Sequence, residues 1–201
     1  MTVTADRARV VFDAGALPTS VVVSNGDSEE PRVVQVYLAS DRGAPAGKER
    51  LPFAVSPAHR SIQPGDRQAF RITYEVLAGT PLPSDRETLL YFCILAIPPQ
   101  GIQSAEQTWL DFLYRPKGLS GTPVEAAKGL QFSAEDGKMW VRNPSYYCVS
   151  VAEVTVDGVK IGGPLMVRPR QQELLDAPNG KGAVEWSYID DYGARHCARQ
   201  A

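Results

Sequence analysis

The stretch Val154-Thr155-Val156-Asp157-Gly158-Val159-Lys160-Ile161 decides the fold class. Apolar and polar residues alternate on both sides of Asp-Gly, the dipeptide that best tolerates the two positive-φ positions of a tight hairpin turn. The segment therefore reads as two antiparallel strands that bury one face. The same alternation recurs upstream in Val21 with Val23 and in Val34 with Val36, as expected of sheets packed on one side only. Strand-like runs at 8–12, 19–24, 32–38, 70–76, 89–97 and 108–114 form one set, and runs at 139–142, 147–156, 159–161, 172–175 and 183–189 a second. Between them stand turn formers: Asn25-Gly26-Asp27, Gln63-Pro64-Gly65-Asp66 and Leu82-Pro83-Ser84-Asp85. No dozen-residue window carries a convincing helical period, so the class is all-β.

At 201 residues, with 17 glycines and 16 prolines, the chain suits two small, turn-rich domains better than one. The stretch Lys117-Gly-Leu-Ser-Gly-Thr-Pro123 has linker composition. It separates an expected domain 1–116 from a second at 117–201, each the size of an immunoglobulin-like β-sandwich. Trp109, Trp140 and Trp186 are expected to fill cores or the seam between domains rather than bind a ligand.

A formal net charge of −2 provides no global field to attract nucleic acid or an anionic membrane. The longest apolar run, 89–99, falls well short of the roughly 20 residues of a spanning helix, so membrane insertion is not expected. Residues 1–7 lack the apolar stretch of a secretory leader. Two locations stay open on that ground: the cytosol, or a secreted compartment reached before a leader was removed.

Chemistry is sparse. His59 and His196 are the two histidines, and neither belongs to a Ser or Cys nucleophile motif. Asn179-Gly-Lys-Gly182 lacks the spaced glycines of a phosphate loop and reads as a turn. Asp190 and Asp191 would point to opposite faces of a strand, which rules out joint acid and base work. No pair among Cys93, Cys148 and Cys197 has metal-knuckle spacing. Catalysis, a metal and a cofactor are therefore not expected. Cys93, inside an apolar run, reads as a buried small hydrophobe; Cys148 and Cys197 are the better candidates for a disulfide. Charged residues in strand-like surroundings remain. Arg7 and Arg9 alternate onto one face of the first strand, and Glu87, Arg115 and Asp191 sit beside apolar runs, positioned to form an ion-pair network between domains.

Six segments, in this order, give a specific match: Asp6-Arg-Ala-Arg-Val-Val-Phe-Asp13, Leu82-Pro-Ser-Asp-Arg-Glu-Thr-Leu-Leu-Tyr-Phe92, Ala96-Ile-Pro-Pro99, Tyr114-Arg-Pro116, Asn143-Pro-Ser-Tyr-Tyr147 and Tyr188-Ile-Asp-Asp-Tyr-Gly193. Over nearly the full chain the sequence resembles the periplasmic pilus chaperones of the PapD type. The resemblance implies two immunoglobulin-like β-sandwich domains in an L shape, located in the periplasm. It implies a non-enzymatic protein that binds fimbrial subunits, lends them a strand in donor-strand complementation and delivers them to an outer-membrane usher; self-capping as a homodimer is a further expectation. By resemblance, Arg9 anchors the subunit's C-terminal carboxylate, Glu87, Arg115 and Asp191 form the interdomain salt bridge, and Pro57 falls where the family has a cis proline.

Two features depart from the family. Its cleft lysine falls on Asp111, which replaces attraction by repulsion unless Asp111 pairs with Arg9. The lending positions read Ile102, Ser104, Glu106, Thr108 and Leu110 where the family alternates bulky apolar residues; each lost Leu or Ile forfeits roughly 1.5–3 kcal/mol of burial. These departures favour a chaperone specialised for an atypical subunit, or alternatively a chaperone-like scaffold that no longer lends a strand. An extracellular adhesive sandwich is the third and weaker reading, because it gives Arg9 and the triad no reason.

Overall fold

The computed structural model describes residues 3–16, 18–27, 29–75, 79–135, 137–178 and 182–200. They form two compact units, Met1–Leu82 with Leu89–Tyr114, and Pro83–Thr88 with Arg115–Ala201.

In the first unit, β1 (Val3–Ala5), β3 (Thr19–Asn25), β7 (Arg67–Tyr74) and β5 (Phe53–Ser56) form one sheet in the order β1-β3-β7-β5. The second sheet has the order β2-β9-β8-β4-β6, from β2 (Arg9–Asp13), β4 (Arg32–Ala39), β6 (His59–Ile62), β8 (Thr88–Ile97) and β9 (Glu106–Arg115). Alternation decides what each strand buries. Val21 and Val23, Val34 and Val36, Leu90, Phe92 and Ile94, and Leu110, Phe112 and Tyr114 all point into one core. Phe12, Phe53, Tyr74, Phe112 and Tyr114 close one end of that core, with Tyr74 and Tyr114 stacked at 4.9 Å between centroids. Burial pushes the Tyr114 hydroxyl up to about 12.

The second unit pairs β10 (Gln131–Glu135), β11 (Lys138–Arg142) and β15 (Gln172–Pro178) in one sheet. Opposite stand β13 (Val159–Gly162), β12 (Val149–Val156), β16 (Val184–Ile189) and β17 (Arg195–Arg199), in that order, with β14 (Leu165–Val167) also paired to β12. Val141, Val151, Val154, Val167, Trp186 and Tyr188 fill its core, and the Trp186 Nε1–H donates to the Ala127 carbonyl at 2.9 Å. Asp157 and Gly158 form the expected hairpin turn at φ of 48° and 79°, with Val156 facing Val159. Asn143, fully buried, donates from Nδ2 to the carbonyls of Tyr147 at 2.7 Å and Val167 at 2.9 Å and so ties two loops together.

The all-β expectation holds. Within the stretch that reads as a linker and just beyond it, a short helix α1 (Pro123–Lys128) forms. Thr122 caps it, its Oγ1 accepting from the Glu125 N–H at 3.2 Å, with proline at the first turn. A Thr-x-x-Glu capping signal was present, but six residues are too few to show a period. The Ser56-Pro57 peptide is cis, as the family position implies, and so is Gly163-Pro164. Val76, at the end of one expected strand, and Asn179, Gly180 and Lys181 of the expected turn lie outside the described residues.

Candidate functional site

Because Val10 and Phe12 point inward, Arg9 and Val11 stand on the solvent face of β2, the first strand of the five-stranded sheet. Arg7 does not share that face. The strand starts at Arg9, and Arg7 lies in the preceding bend, where it ion-pairs with its exposed neighbour Asp6 at 2.7 Å. On β9 the inward set Leu110, Phe112 and Tyr114 puts Gln107, Trp109 and Asp111 on the same solvent face as Arg9.

Asp111 meets a cation that the sequence did not single out. The Arg42 guanidinium lies 2.7 Å from its Oδ1 and stacks over the Tyr91 ring at 5.1 Å. Arg42 comes from the turn after β4, 69 residues from Asp111 in the chain, so no periodic signal connects the two. Pairing of Asp111 with Arg9 was one expectation; its recorded partner is Arg42. Beside this pair, the Trp109 ring meets Tyr37 edge-on at 5.8 Å. Gln107 Nε2 donates to the Tyr37 hydroxyl at 3.0 Å and to the Cys93 sulfur at 3.2 Å, which covers Cys93 completely. Burial pushes the Cys93 thiol up, and the Tyr37 hydroxyl up to about 12.

The expected lending positions divide into three groups. Ile102 and Ser104 belong to a 3-10 turn rather than a strand, and Ile102 is 64% exposed. Leu110 is buried in the unit's own core. Glu106 and Thr108 open β9 itself, exposed and half-buried. The correction follows from Gly101, which sits at a φ of 107° and starts the turn; the strand can begin only after it. β2 supplies five residues against the ten of β9, so it spans no more than half of that strand's edge. The contacts of Phe12 with Phe112 and Tyr114 place β2 against the C-terminal half.

Glu87, Arg115 and Asp191 do meet, and all three belong to the second unit, because segment Pro83–Thr88 is counted with it. Arg115 donates from Nε to Glu87 Oε1 at 2.5 Å and from Nη1 to Asp191 Oδ2 at 2.8 Å. Glu87 also accepts the Cys148 N–H at 2.8 Å and is only 2% exposed. Burial drives its carboxyl above the ordinary glutamate range, against the pull of Arg115. The two carboxylates keep Arg115 charged.

The expected Cys148–Cys197 disulfide does not form; Cys93, Cys148 and Cys197 are all thiols. The sheet order explains why. Cys148 precedes β12 and Cys197 lies on β17, with β16 between these strands. Glu153 pairs with Ser187, and Ser187 with Cys197, so Cys197 is level with Glu153, five residues beyond Cys148. Two strand spacings across and about five residues along separate the Cα atoms by roughly 19 Å, far outside the ~7 Å limit for a bridge. Among the described residues no cluster of His, Cys, Asp or Glu is arranged to hold a metal.

Comparison with known proteins agrees with this geometry. Residues 2–120 match the family described as "Pili and flagellar-assembly chaperone, PapD N-terminal domain", and residues 125–200 match "Pili assembly chaperone PapD, C-terminal domain". The chain is 32% identical over 201 residues to the chaperone protein FimB/FhaD of Bordetella pertussis, covering 92% of this chain and 82% of that one. It is 29% identical to the chaperone protein HifB of Haemophilus influenzae, with the same coverage. The CupB2 chaperone of Pseudomonas aeruginosa superposes with a TM-score of 0.81 at 30% identity, over 98% of this chain and 100% of that one. SafB, solved in complex with the SafA pilin of Salmonella enterica, gives 0.86 at 29% identity, over 99% and 95%. With both domain types matched in order and a relative above 30% identity across nearly its whole length, the chain belongs to the PapD family of pilus-assembly chaperones.

Proposed function

We propose that this chain is a periplasmic chaperone that binds fimbrial subunits and delivers them to an outer-membrane usher, lending the N-terminal half of β9 as a temporary strand. The observation that carries this reading is the mismatch between β2 and β9: the shorter strand spans at most half of the longer. Main-chain hydrogen bonds along such an edge complete an incomplete sandwich whatever the client's sequence, and side chains on alternate positions fill its groove. The solvent face beside that edge carries Arg9, which supplies a charge-assisted fork for the client's terminal carboxylate. Without a client, the same edge suits pairing with a second copy, which is the basis for the self-capping homodimer.

A second reading has its own observation. At the start of β9 the groove-facing residues are Glu106 and Thr108, while Ile102 lies in a turn; a scaffold that binds through another surface needs nothing more apolar there. Co-expression with the secreted fimbrial subunit encoded beside this gene, followed by pull-down, separates the two. Thr108→Asp places a charge in the client's apolar groove and is expected to reduce capture at least tenfold, since burying an unpaired carboxylate costs well over 1.4 kcal/mol. Undiminished capture by Thr108→Asp would establish the scaffold reading. Leu110 is unsuitable for such a test because its substitution would unfold the first unit.

A further inference from the structure

A cavity of about 560 Å³ lies on the solvent face of the β12, β16 and β17 sheet, and its walls and floor include Glu153, Glu185, Ser187, Arg195, Cys197 and Arg199. Its shape follows from the register. Glu153, Ser187 and Cys197 form one row across the three strands, and Thr155, Glu185 and Arg199 the next. The two short side chains, Ser187 and Cys197, make a low floor between long charged ones. Lys160 and Arg195 each approach Glu153 at 3.4 Å, with side chains more than half exposed; such pairs are weak and easily exchanged for a ligand's charges.

Two further observations point to a ligand. Cys197 is exposed, whereas Cys93 and Cys148 are buried. Ser187 is only 5% exposed, lines the cavity directly across from Cys197, and its buried Oγ has no hydrogen-bond partner. A buried hydroxyl without a partner costs roughly 1–3 kcal/mol, and a polar group entering the cavity would relieve that.

We propose that Cys197 is a thiolation site for low-molecular-weight disulfides of zwitterionic thiols, amino-acid or short-peptide disulfides that carry both carboxylates and ammonium groups. In the step, the Cys197 thiolate attacks one sulfur of R–S–S–R. The Cys197 Sγ–S bond forms as the small disulfide's S–S bond breaks; the other half leaves as R–S⁻ and takes up the proton that Cys197 released. The small disulfide is the oxidant, and Cys197 and one R–S share the new disulfide. Arg195 and Arg199, two positions either side of Cys197 on the same strand face, receive the ligand's carboxylates. Glu153 and Glu185 face its ammonium, and the Ser187 hydroxyl bonds the group beneath the sulfur. The site is independent of strand lending.

The test follows adduct formation by intact mass, with oxidised glutathione as the zwitterionic disulfide and 2-hydroxyethyl disulfide as the neutral one. The wild-type protein is expected to gain a single glutathione at Cys197, located by peptide mapping, and Cys197→Ser none. In the Arg195→Ala/Arg199→Ala variant the rate ratio of charged to neutral disulfide should fall about tenfold, the equivalent of roughly 1.4 kcal/mol. An adduct at Cys93 or Cys148 instead, or no adduct, would overturn the proposal. So would the same ratio in wild type and variant, because Cys197 would then be an accessible thiol without a binding site.

Discussion

Replacing Glu87 with alanine is expected to cost about 3–5 kcal/mol of stability, measured as the loss of unfolding free energy in urea. Glu87 is 2% exposed and is the acceptor for both the Cys148 N–H and the Arg115 guanidinium. Its removal strands a half-buried cation and a buried N–H, and breaking one partner of such a pair is among the largest single-residue costs. Glu87→Gln keeps an oxygen for the Cys148 N–H and should lose less, about 1–3 kcal/mol. The exposed Asp85–Arg86 pair, at 3.0 Å only two residues away in the chain, provides the contrast: Arg86→Ala should change stability by under about 1 kcal/mol. A cost for Glu87→Ala as small as that would show the network to be decorative.

The sign of the pH dependence follows from burial. Glu87 titrates above its ordinary value of 4.5 in the folded protein. A carboxyl raised by folding binds more protons in the native state, so its contribution is complete below the unfolded value and is lost as pH rises through the folded one. The stability of wild type relative to Glu87→Gln should therefore decline as the pH rises above about 4.5. A difference that grows over that window would show that Arg115, not desolvation, dominates.

The second large effect concerns client capture. Arg9→Ala is expected to weaken it by at least about thirtyfold, because truncating one side of a buried charged pair costs 2–5 kcal/mol or more. Arg42 and Asp111 refine this. While Arg42 holds Asp111 at 2.7 Å, the carboxylate on β9 is neutralised and does not repel an incoming anion. Arg42→Ala exposes that charge and should weaken capture severalfold, and Arg42→Ala/Asp111→Asn should restore it. If the double variant binds as poorly as Arg42→Ala alone, Arg42 contacts the client directly and Asp111 only orients it. Equal capture by wild type and Arg9→Ala, measured by titration against purified subunit, would remove the carboxylate anchor altogether.

Much of the fold was legible in residue order. The alternation of Val21 with Val23 and of Val34 with Val36, the long run of β8 and the Asp157-Gly158 turn each report a local geometry that the backbone then adopts. Short pieces were missed: β1, β5, β6, β10, β14 and β17 span three to five residues each, and α1 six, below the length at which a period can be distinguished from chance. Glu87, Arg115 and Asp191 stood out as charges beside apolar runs and again in the family motifs, although nothing local connects residues 76 apart.

Tertiary structure alone decided the pairings. The sequence singled out Asp111 as an anomaly, yet Arg42 reaches it because the turn after β4 folds over Tyr91. Cys148 and Cys197 looked like partners by elimination, and the insertion of β16 between their strands separates them. Ile102 was expected on the lending strand by resemblance to the family, and the positive φ of Gly101 put it in a turn instead. The physical reason is the same in each case. Side-chain alternation is a property of neighbours along the chain and survives in the sequence, whereas the partner of a charge or a thiol depends on which strands lie side by side, and sheet order is set by the packing of the whole domain.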